Sequence, residues 1–305
     1  MSKKKLLLFF IDGIGLGLDD GKANPLRNLF SGVMPGTRLV EQESAQFFKG
    51  GVLIPTDAVM GVPGVPQSAT GQTSIFTGTN AQKLLGRHLS AYPNERLKSI
   101  IEQKSLMRSL ENLGVKVTAA NLYSREFFDD RKKSRPNRFP VSTLIIQSSG
   151  AGFRFWPDYQ SSMAVFADIT NERLRKRGYD IPLIEPEEAA ANMLNIVTEY
   201  NFVFFEYFMT DLHGHKRNRR ELSRCVDILN RFTGLLWAGV DRGTTAILIL
   251  SDHGNAEDMT TGDHTLNRVP TLFLGADPED QQLFAQSIND LTDIHSTVLK
   301  YFSEF

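Results

Sequence analysis

Short runs of apolar residues recur along the chain and predict buried β-strands. Five such runs lie at 5–12 (KLLLFFID), 115–121 (VKVTAAN), 202–208 (FVFFEYF), 244–252 (TTAILILSD) and 269–275 (VPTLFLG). Most of their residues are apolar without strict alternation, which is typical of strands covered by helices on both faces, as in a parallel sheet. The sequence therefore predicts a sheet with two buried faces.

Between these runs, apolar residues return at helical spacing. The segment 94–114 has this period and ends at Gly114, a common helix terminator. The segment 185–200 opens with proline and acidic residues, which favour a helix N-terminus. The segment 219–239 also has an apolar face, formed by Leu222, Val226, Leu229, Phe232 and Leu236. Strands and helices that alternate in this way indicate an α/β fold: a doubly wound, mostly parallel sheet with helices on both faces.

The alternation stops between 124 and 182, where arginine, phenylalanine, proline and serine are frequent. We predict a small inserted cap subdomain at 124–182, between the two core segments 1–123 and 183–305. The cap is a candidate lid over a site. An irregular decoration without a role in chemistry is the alternative interpretation of the same segment.

The composition narrows the class of protein. Of the 305 residues, 41% are hydrophobic and 23% are charged, which is typical of a globular protein with a large core. The net charge of -1 gives no reason to expect nucleic-acid binding. One cysteine, Cys225, excludes a disulfide within the chain and fits a reducing compartment. The N-terminal apolar run ends at Asp12 and is too short to span a membrane, so we expect a cytoplasmic protein with no membrane contact.

Polar residues follow the predicted strands or precede the next one. Three aspartates and three histidines occupy such positions: Asp12, Asp211, His215, Asp252, His253 and His264. Open α/β sheets bind ligands beyond the carboxyl ends of their strands, so these residues can converge in space. A single aspartate there is as often a helix N-cap, but six such residues are harder to explain structurally. Carboxylate and imidazole groups suit Zn, Mn or Fe-type ions, and six ligands fit two ions better than one tetrahedral site.

These motifs resemble those of the alkaline-phosphatase-like metalloenzyme superfamily, most closely cofactor-independent phosphoglycerate mutase and phosphopentomutase. The similar stretches, in order, are FFIDGIG (9–15), QSATGQ (67–72), DLHGH (211–215), SDHGNAED (251–258) followed by HTLNRVP (264–270), and LTDIHSTVLKYF (291–302). The resemblance covers roughly 1–90 and 185–305, and it is specific because separate motifs occur in the expected order.

The resemblance implies two divalent metal ions, Mn or Zn, and a serine nucleophile. One ion would lie among Asp12, Ser68, Asp252 and His253, and the other among Asp211, His215 and His264. Ser68 would attack a phosphate monoester and carry the phosphoryl group as phosphoserine, with its alkoxide stabilised by the ions. Arg87, Arg125 and Arg154 are candidate contacts for the anionic substrate.

Gln72 departs from the family pattern, because the mutases usually carry histidine at this position. Three other histidines are not predicted as ligands: His213, which lies between two predicted ligands, His88 and His295.

The sequence thus favours a two-metal phosphoester hydrolase that acts on a small phosphorylated metabolite through a phosphoserine. One alternative is a phosphomutase with a reduced cap, since 124–182 is short but stands where phosphopentomutase has its cap. The other is a metal-binding scaffold without catalysis, which Gln72 and the short cap permit. No feature of the sequence specifies an oligomeric state.

Overall fold

A seven-stranded sheet forms the centre of the computed structural model, which describes residues 4–133 and 138–303, with 130–133 as backbone only. The strands are β1 (Lys5–Ile11), β2 (Gln46–Phe48), β3 (Gly51–Thr56), β4 (Val117–Ala119), β5 (Phe202–Tyr207), β6 (Thr245–Leu250) and β7 (Val269–Leu274). They are arranged in the order β2-β3-β7-β6-β1-β5-β4. All five predicted strands are present.

The pairing of the strands is mixed. From β6 through β1 and β5 to β4 the neighbours are parallel, whereas β7, β3 and β2 extend the other side with antiparallel pairs. The sequence analysis did not predict β2 and β3, because β2 is short and β3 contains a proline, a residue that weakens a strand prediction. This proline, Pro55, lies opposite Pro270 of β7. The predicted α/β class is confirmed. The antiparallel pairing of β7, β3 and β2 on one side of the sheet is a feature that the sequence did not predict.

Helices cover both faces of the sheet. In the described part of the chain they are α1 (Ser68–Thr77), α2 (Ala81–Leu85), α3 (Glu95–Lys104), α4 (Leu106–Asn112), α5 (Arg125–Lys133), α6 (Val141–Gln147), α7 (Trp156–Gln160), α8 (Glu172–Lys176), α9 (Pro186–Glu199), α10 (Met209–His215), α11 (Arg219–Gly239), α12 (Pro278–Ser287) and α13 (Asp293–Ser303). Within 4–133 and 138–303, none of them is both long and apolar enough to cross a membrane.

The helix predicted at 94–114 is divided at Ser105 into α3 and α4. The backbone of Ser105 is extended, and its hydroxyl accepts a hydrogen bond from the backbone N–H of Arg108. Serine favours this N-cap geometry, which starts a new helix inside a continuous helical pattern.

The central strand β1 supplies an apolar layer on each face of the sheet. Leu7 and Phe9 pack in the layer that contains the apolar faces of α9 and α11. Leu6 and Leu8 pack in the opposite layer, with side chains from α1, α3, α4 and α13. Successive residues of a strand point to opposite faces, so a continuous apolar run supports both layers. Complete burial of each such side chain contributes about 1.5–3 kcal/mol.

The region 124–182 contributes to two apolar groups. Val141 and Ile145 of α6 belong to the main layer that also holds α1 and α3. A separate small core is formed by Leu122, Tyr159, Ala164, Phe166, Leu174 and Ile181. Arg154 joins this region to the edge strand β4, because its side chain donates to the Ala119 carbonyl at 2.7 Å and the Thr118 hydroxyl at 3.0 Å. The boundaries of the cap stay predictions.

Candidate metal centre and cleft

The predicted ligands meet at one edge of the sheet. Asp12 follows β1, Asp252 and His253 follow β6, and Asp211 lies in α10 directly after β5. These strands are parallel neighbours, so their carboxyl ends share this edge. His264 precedes β7, which is antiparallel to β6 and therefore starts at the same edge. The convergence expected from the sequence is present in the structure.

Asp12, Asp252 and His253 form a first donor group, with one ligand atom from each within 4.8 Å of the others. Nε2 of His253 lies 3.2 Å from Oδ1 of Asp12 and 3.6 Å from Oδ2 of Asp252. Oγ of Ser68 is 3.0 Å from the same nitrogen. In the described part of the chain, the buried Oδ1 of Asp252 has no hydrogen-bond partner. A buried carboxylate oxygen of this kind needs compensation, and a divalent cation provides it.

Asp211, His253 and His264 form a second donor group, again with ligand atoms within 4.8 Å. His215 adjoins it, with Nε2 at 3.4 Å from Oδ2 of Asp211 and 3.2 Å from Nε2 of His264. The spacing of four residues between Asp211 and His215 places both on one face of α10. His253 is thus shared by the two groups, and its ring stacks on that of His264 with centroids 3.6 Å apart.

In His215 and His264, a backbone hydrogen bond at Nδ1 determines which ring nitrogen can bind a cation. Nδ1 of His215 donates to the carbonyl of Gly262 at 2.8 Å, and Nδ1 of His264 donates to the carbonyl of Pro66 at 2.7 Å. A carbonyl only accepts, so each Nδ1 carries a proton and each neutral ring has a lone pair on Nε2. In the neutral form of both rings, these Nε2 atoms are two nitrogen donors 3.2 Å apart beside the carboxylate of Asp211. This donor set fits a cation.

The pKa shifts at the centre reflect concentrated negative charge. Burial raises the pKa of Asp252 well above its usual value, and the charge of Asp12 adds to the effect. Burial alone would lower the pKa of His253, but the neighbouring Asp252 and Asp12 raise it to about 10. Burial and the positive charge of His253 lower the pKa of His264 to about 4. A bound cation would relieve the repulsion among these carboxylates.

Close backbone approach explains two glycines of the motifs. Ser68 is the first residue of α1, and a Cβ on Gly71 would lie 2.8 Å from the carbonyl oxygen of Asp252. Gly13 has a positive φ of 73°, and a Cβ there would lie 2.7 Å from Cβ of Asp211. Glycine thus lets α1 and the β1 turn reach the two donor groups without a clash.

Gln72, which departs from the family pattern, contacts a predicted ligand directly. Its buried side-chain amide donates from Nε2 to Oδ2 of Asp252 at 3.0 Å. It lies four residues after Ser68 and therefore on the same face of α1. The amide orients this carboxylate without adding a charge of its own and leaves its other oxygen available to a cation.

Two supporting residues of the SDHGNAED motif were not identified by the sequence analysis. Asn255 donates from Nδ2 to Oδ1 of Asp211 at 2.7 Å. Glu257 is buried and accepts from the backbone N–H of Gly15 at 3.0 Å, from that of Asn255 at 2.7 Å and from the hydroxyl of Thr265 at 2.5 Å. The signal was available, because both are polar residues of a recognised motif that had no assigned role.

A cleft of about 730 Å³ extends from Asp12 and Ser68 to the predicted cap. Arg173 and Arg177 line its cap side, and Glu206 of β5 lines it near the sheet. Burial raises the pKa of Glu206 to about 7, with a further contribution from Asp12. The sequence analysis missed all three, although Glu206 is a lone carboxylate inside the apolar run FVFFEYF, Arg173 belongs to the basic helix α8 and Arg177 directly follows it.

The three arginines predicted to contact substrate lie outside the lining of the cleft. Neither Arg87 nor Arg154 is among the described residues that line the cleft; Arg87 is exposed, and Arg154 is buried against β4. Arg125 lines a smaller neighbouring cavity, where its guanidinium carbon lies 5.4 Å from the centroid of the Phe155 ring. These positions give no support to a substrate contact of Arg87 or Arg154.

The remaining histidines lie outside both donor groups, as expected. Nε2 of His88 is 3.0 Å from the carbonyl oxygen of Val62, and Nε2 of His295 is 3.3 Å from the hydroxyl of Ser109. His213 lies on α10 between two predicted ligands, and burial lowers its pKa.

The fold is similar to that of alkaline phosphatases. Alkaline phosphatase from the Antarctic bacterium TAB5 matches with a TM-score of 0.51 at 15% identity, over 98% of this chain and 98% of that chain. A protein from Pyrococcus horikoshii matches with a TM-score of 0.54 at 15% identity, over 91% of this chain and 88% of its own.

Sequence comparison points to the same class. Residues 179–304 match the model of the family described as the metalloenzyme superfamily. The 2,3-bisphosphoglycerate-independent phosphoglycerate mutase of Herpetosiphon aurantiacus is 33% identical over 136 residues, which cover 40% of this chain and 25% of the mutase. The chain thus spans about a quarter of the length of this relative. The comparisons confirm the resemblance to the alkaline-phosphatase-like metalloenzyme superfamily, near the cofactor-independent phosphoglycerate mutases.

Proposed function

We propose that the protein is a two-metal phosphoester hydrolase that acts on a small phosphorylated metabolite through a phosphoserine. The observation that carries this proposal is the position of Ser68: its Oγ lies 3.0 Å from Nε2 of His253, at the first residue of α1 and beside both donor groups. A serine that faces such a set of donors has the setting of an activated nucleophile.

The described donors fit two divalent ions, Mn or Zn, as the class implies. Asp12, Asp252 and His253, with Ser68, would hold one ion, and Asp211, His215 and His264 would hold the other. When bound, the ions supply positive charge that lowers the pKa of the serine hydroxyl and stabilises charge on the phosphate oxygens. Gln72 and Asn255 orient the carboxylates of Asp252 and Asp211 through the hydrogen bonds described above.

The reaction has two halves that share Ser68. In the first, Oγ releases its proton to solvent and bonds to phosphorus while the bond from phosphorus to the alcohol oxygen breaks. The departing oxygen takes a proton from water, and the alcohol is released. In the second, a water oxygen bonds to phosphorus, the bond to Oγ breaks, and Oγ regains a proton. The sum is a phosphate monoester plus water giving an alcohol plus inorganic phosphate.

A phosphomutase is the second candidate, because the curated relatives in the comparison are named phosphoglycerate mutases. A mutase must keep its phosphoserine away from water until a second hydroxyl of the substrate accepts the phosphoryl group. The predicted cap at 124–182 is short for that task, and this favours transfer to water. The two candidates differ only in the acceptor.

The test is a ³¹P NMR assay with phosphorylated metabolites and protein loaded with Mn or Zn. We expect free inorganic phosphate to form, and Ser68→Ala to abolish its formation; Ser90→Ala, at an exposed serine outside the cleft, is the matched control. A positional isomer without free phosphate would indicate the mutase. Metal binding without turnover would indicate the inactive scaffold, and full activity of Ser68→Ala would exclude this serine as the nucleophile.

A further inference from the structure

A second cavity, of about 280 Å³, adjoins the cap end of the cleft. The two share a wall made of Leu122, Tyr123, Ser124, Glu126, Phe166, Leu174 and Tyr179. The second cavity continues beyond this wall to Arg125, Phe155, Trp156, Pro157, Asp180 and Ile181. We call it the aromatic annex, because phenyl, phenol and indole rings form much of its surface. Its side chains take no part in the chemistry proposed above.

The annex has a supported apolar surface. Trp156 is 42% exposed, and its ring stacks on Tyr159 with centroids 5.2 Å apart and planes 19° apart. Tyr159 is buried, and its hydroxyl accepts a hydrogen bond from Nδ2 of Asn171 at 2.7 Å. The indole of Trp156 is therefore exposed on one side and packed on the other against the buried ring of Tyr159. Large exposed apolar side chains in a concave site are typical of ligand pockets.

A small polar edge lies where the annex meets the cleft. The hydroxyl of Tyr179 lies 3.3 Å from Oγ of Ser124 and 3.2 Å from Oε2 of Glu126. Hydrogen bonds, the strongest from a backbone N–H and others from the Tyr179 and Ser124 hydroxyls, lower the pKa of Glu126, so this edge carries a negative charge. Arg125 and Asp180 also line the annex, and Arg173 and Arg177 line the cap side of the cleft. The two ends thus differ in chemistry: carboxylate and imidazole groups line the cleft near Ser68, whereas the annex has a mainly apolar surface with a few charged groups.

We propose that the annex binds the alcohol part of the substrate, and that this part carries a flat apolar or aromatic group of one or two rings. An apolar cavity of about 150 Å³ is enough to bind benzene, so the annex, at about 280 Å³, has room for such a group. The proposal rests on the proposed function, which places the phosphate at Ser68. The substrate class is then an aryl-alkyl phosphate monoester.

The kinetic test compares 2-(2-naphthyl)ethyl phosphate with ethyl phosphate, because their leaving alcohols have similar acidity. We expect kcat/KM to be about 10–200-fold higher for the naphthyl ester, the range expected for a modest gain in apolar contact. Trp156→Ala should lower this ratio about tenfold, mainly through KM for the naphthyl ester. Leu183→Ala removes another exposed apolar side chain, outside the annex, and should leave the ratio unchanged.

A binding test separates this inference from the proposed function. The chain has two tryptophans, so Trp237→Phe leaves Trp156 as the only indole. We expect saturable quenching of its fluorescence by 2-naphthylethanol, weakened by Phe155→Ala, which also serves if Trp156→Ala does not fold. Turnover with equal kcat/KM for both esters, or no saturable quenching, would overturn the annex as a binding site. Saturable quenching without turnover of any phosphate ester would support the annex and contradict the hydrolase.

Discussion

The sheet end and the cap end of the cleft differ in how their side chains are held. At the sheet end, Asp252 and Asp211 accept hydrogen bonds from buried amide side chains at 3.0 and 2.7 Å. At the cap end Arg177 is exposed, and so is Trp156 in the adjoining annex. Reacting groups need fixed geometry, whereas substrate recognition tolerates more freedom. The comparison suggests that chemistry and selectivity are separated along one cleft, so substitutions at its two ends should have different signatures.

The largest effect is expected for Asp252→Asn, which keeps the shape of a predicted ligand and removes its charge. Loss of a supporting partner already costs 10–100-fold in metal affinity, so loss of a ligand charge should cost more than about 100-fold. Titration calorimetry and metal analysis would measure it. Asp258→Asn, in the same motif but outside both donor groups, is the control. Unchanged affinity of Asp252→Asn for both ions would contradict the assignment.

Gln72→Leu should have the next largest effect. The substitution keeps the volume but removes the donor to Oδ2 of Asp252, so metal affinity should fall about 10–100-fold. Gln72→His restores the family residue and a donor, and we expect it to recover part of the loss. Gln103→Leu, at an exposed glutamine of α3, controls for the change in polarity. If Gln72→Leu changed thermal stability but not metal affinity, the amide would have only a structural role.

At the cap end the effect should be smaller and confined to substrate binding. Arg173 lines the cleft and is half-buried, so Arg173→Met should raise KM for a phosphate ester about tenfold with little change in kcat. Metal affinity should stay the same, in contrast to Gln72→Leu. Arg87→Met removes the same charge from an exposed site outside the cleft and should change KM less than about twofold. A larger increase in KM for Arg87→Met than for Arg173→Met would support the sequence-based prediction that Arg87 contacts substrate.

The same comparison explains which residues could be predicted. Asp12, Asp252 and His253 follow strands that are recognisable as apolar runs, and strand topology carries their side chains together. Glu206 could not be placed in the cleft from periodicity, because it lies within a buried strand and faces the cleft only through the tertiary arrangement. The position of Arg173 in the cleft could not be predicted for a similar reason. Its position depends on how the short helices and loops of 124–182 fold against the sheet, and neither helical nor strand spacing determines that.

The smallest effect on activity is expected for Arg154, whose substitution should change stability but neither KM nor metal affinity. It lies in the predicted cap, but its guanidinium group is directed to Ala119 and Thr118 of β4 instead of the cleft. Arg154→Met should therefore lower the free energy of unfolding by about 1–3 kcal/mol, because the substitution leaves buried acceptors without their charged donor. Urea denaturation would measure this loss. KM and metal affinity should remain within about twofold at temperatures where the variant is folded. A higher KM with normal stability would instead indicate that Arg154 contacts the substrate, as the sequence predicted, and would contradict its role as an anchor to β4.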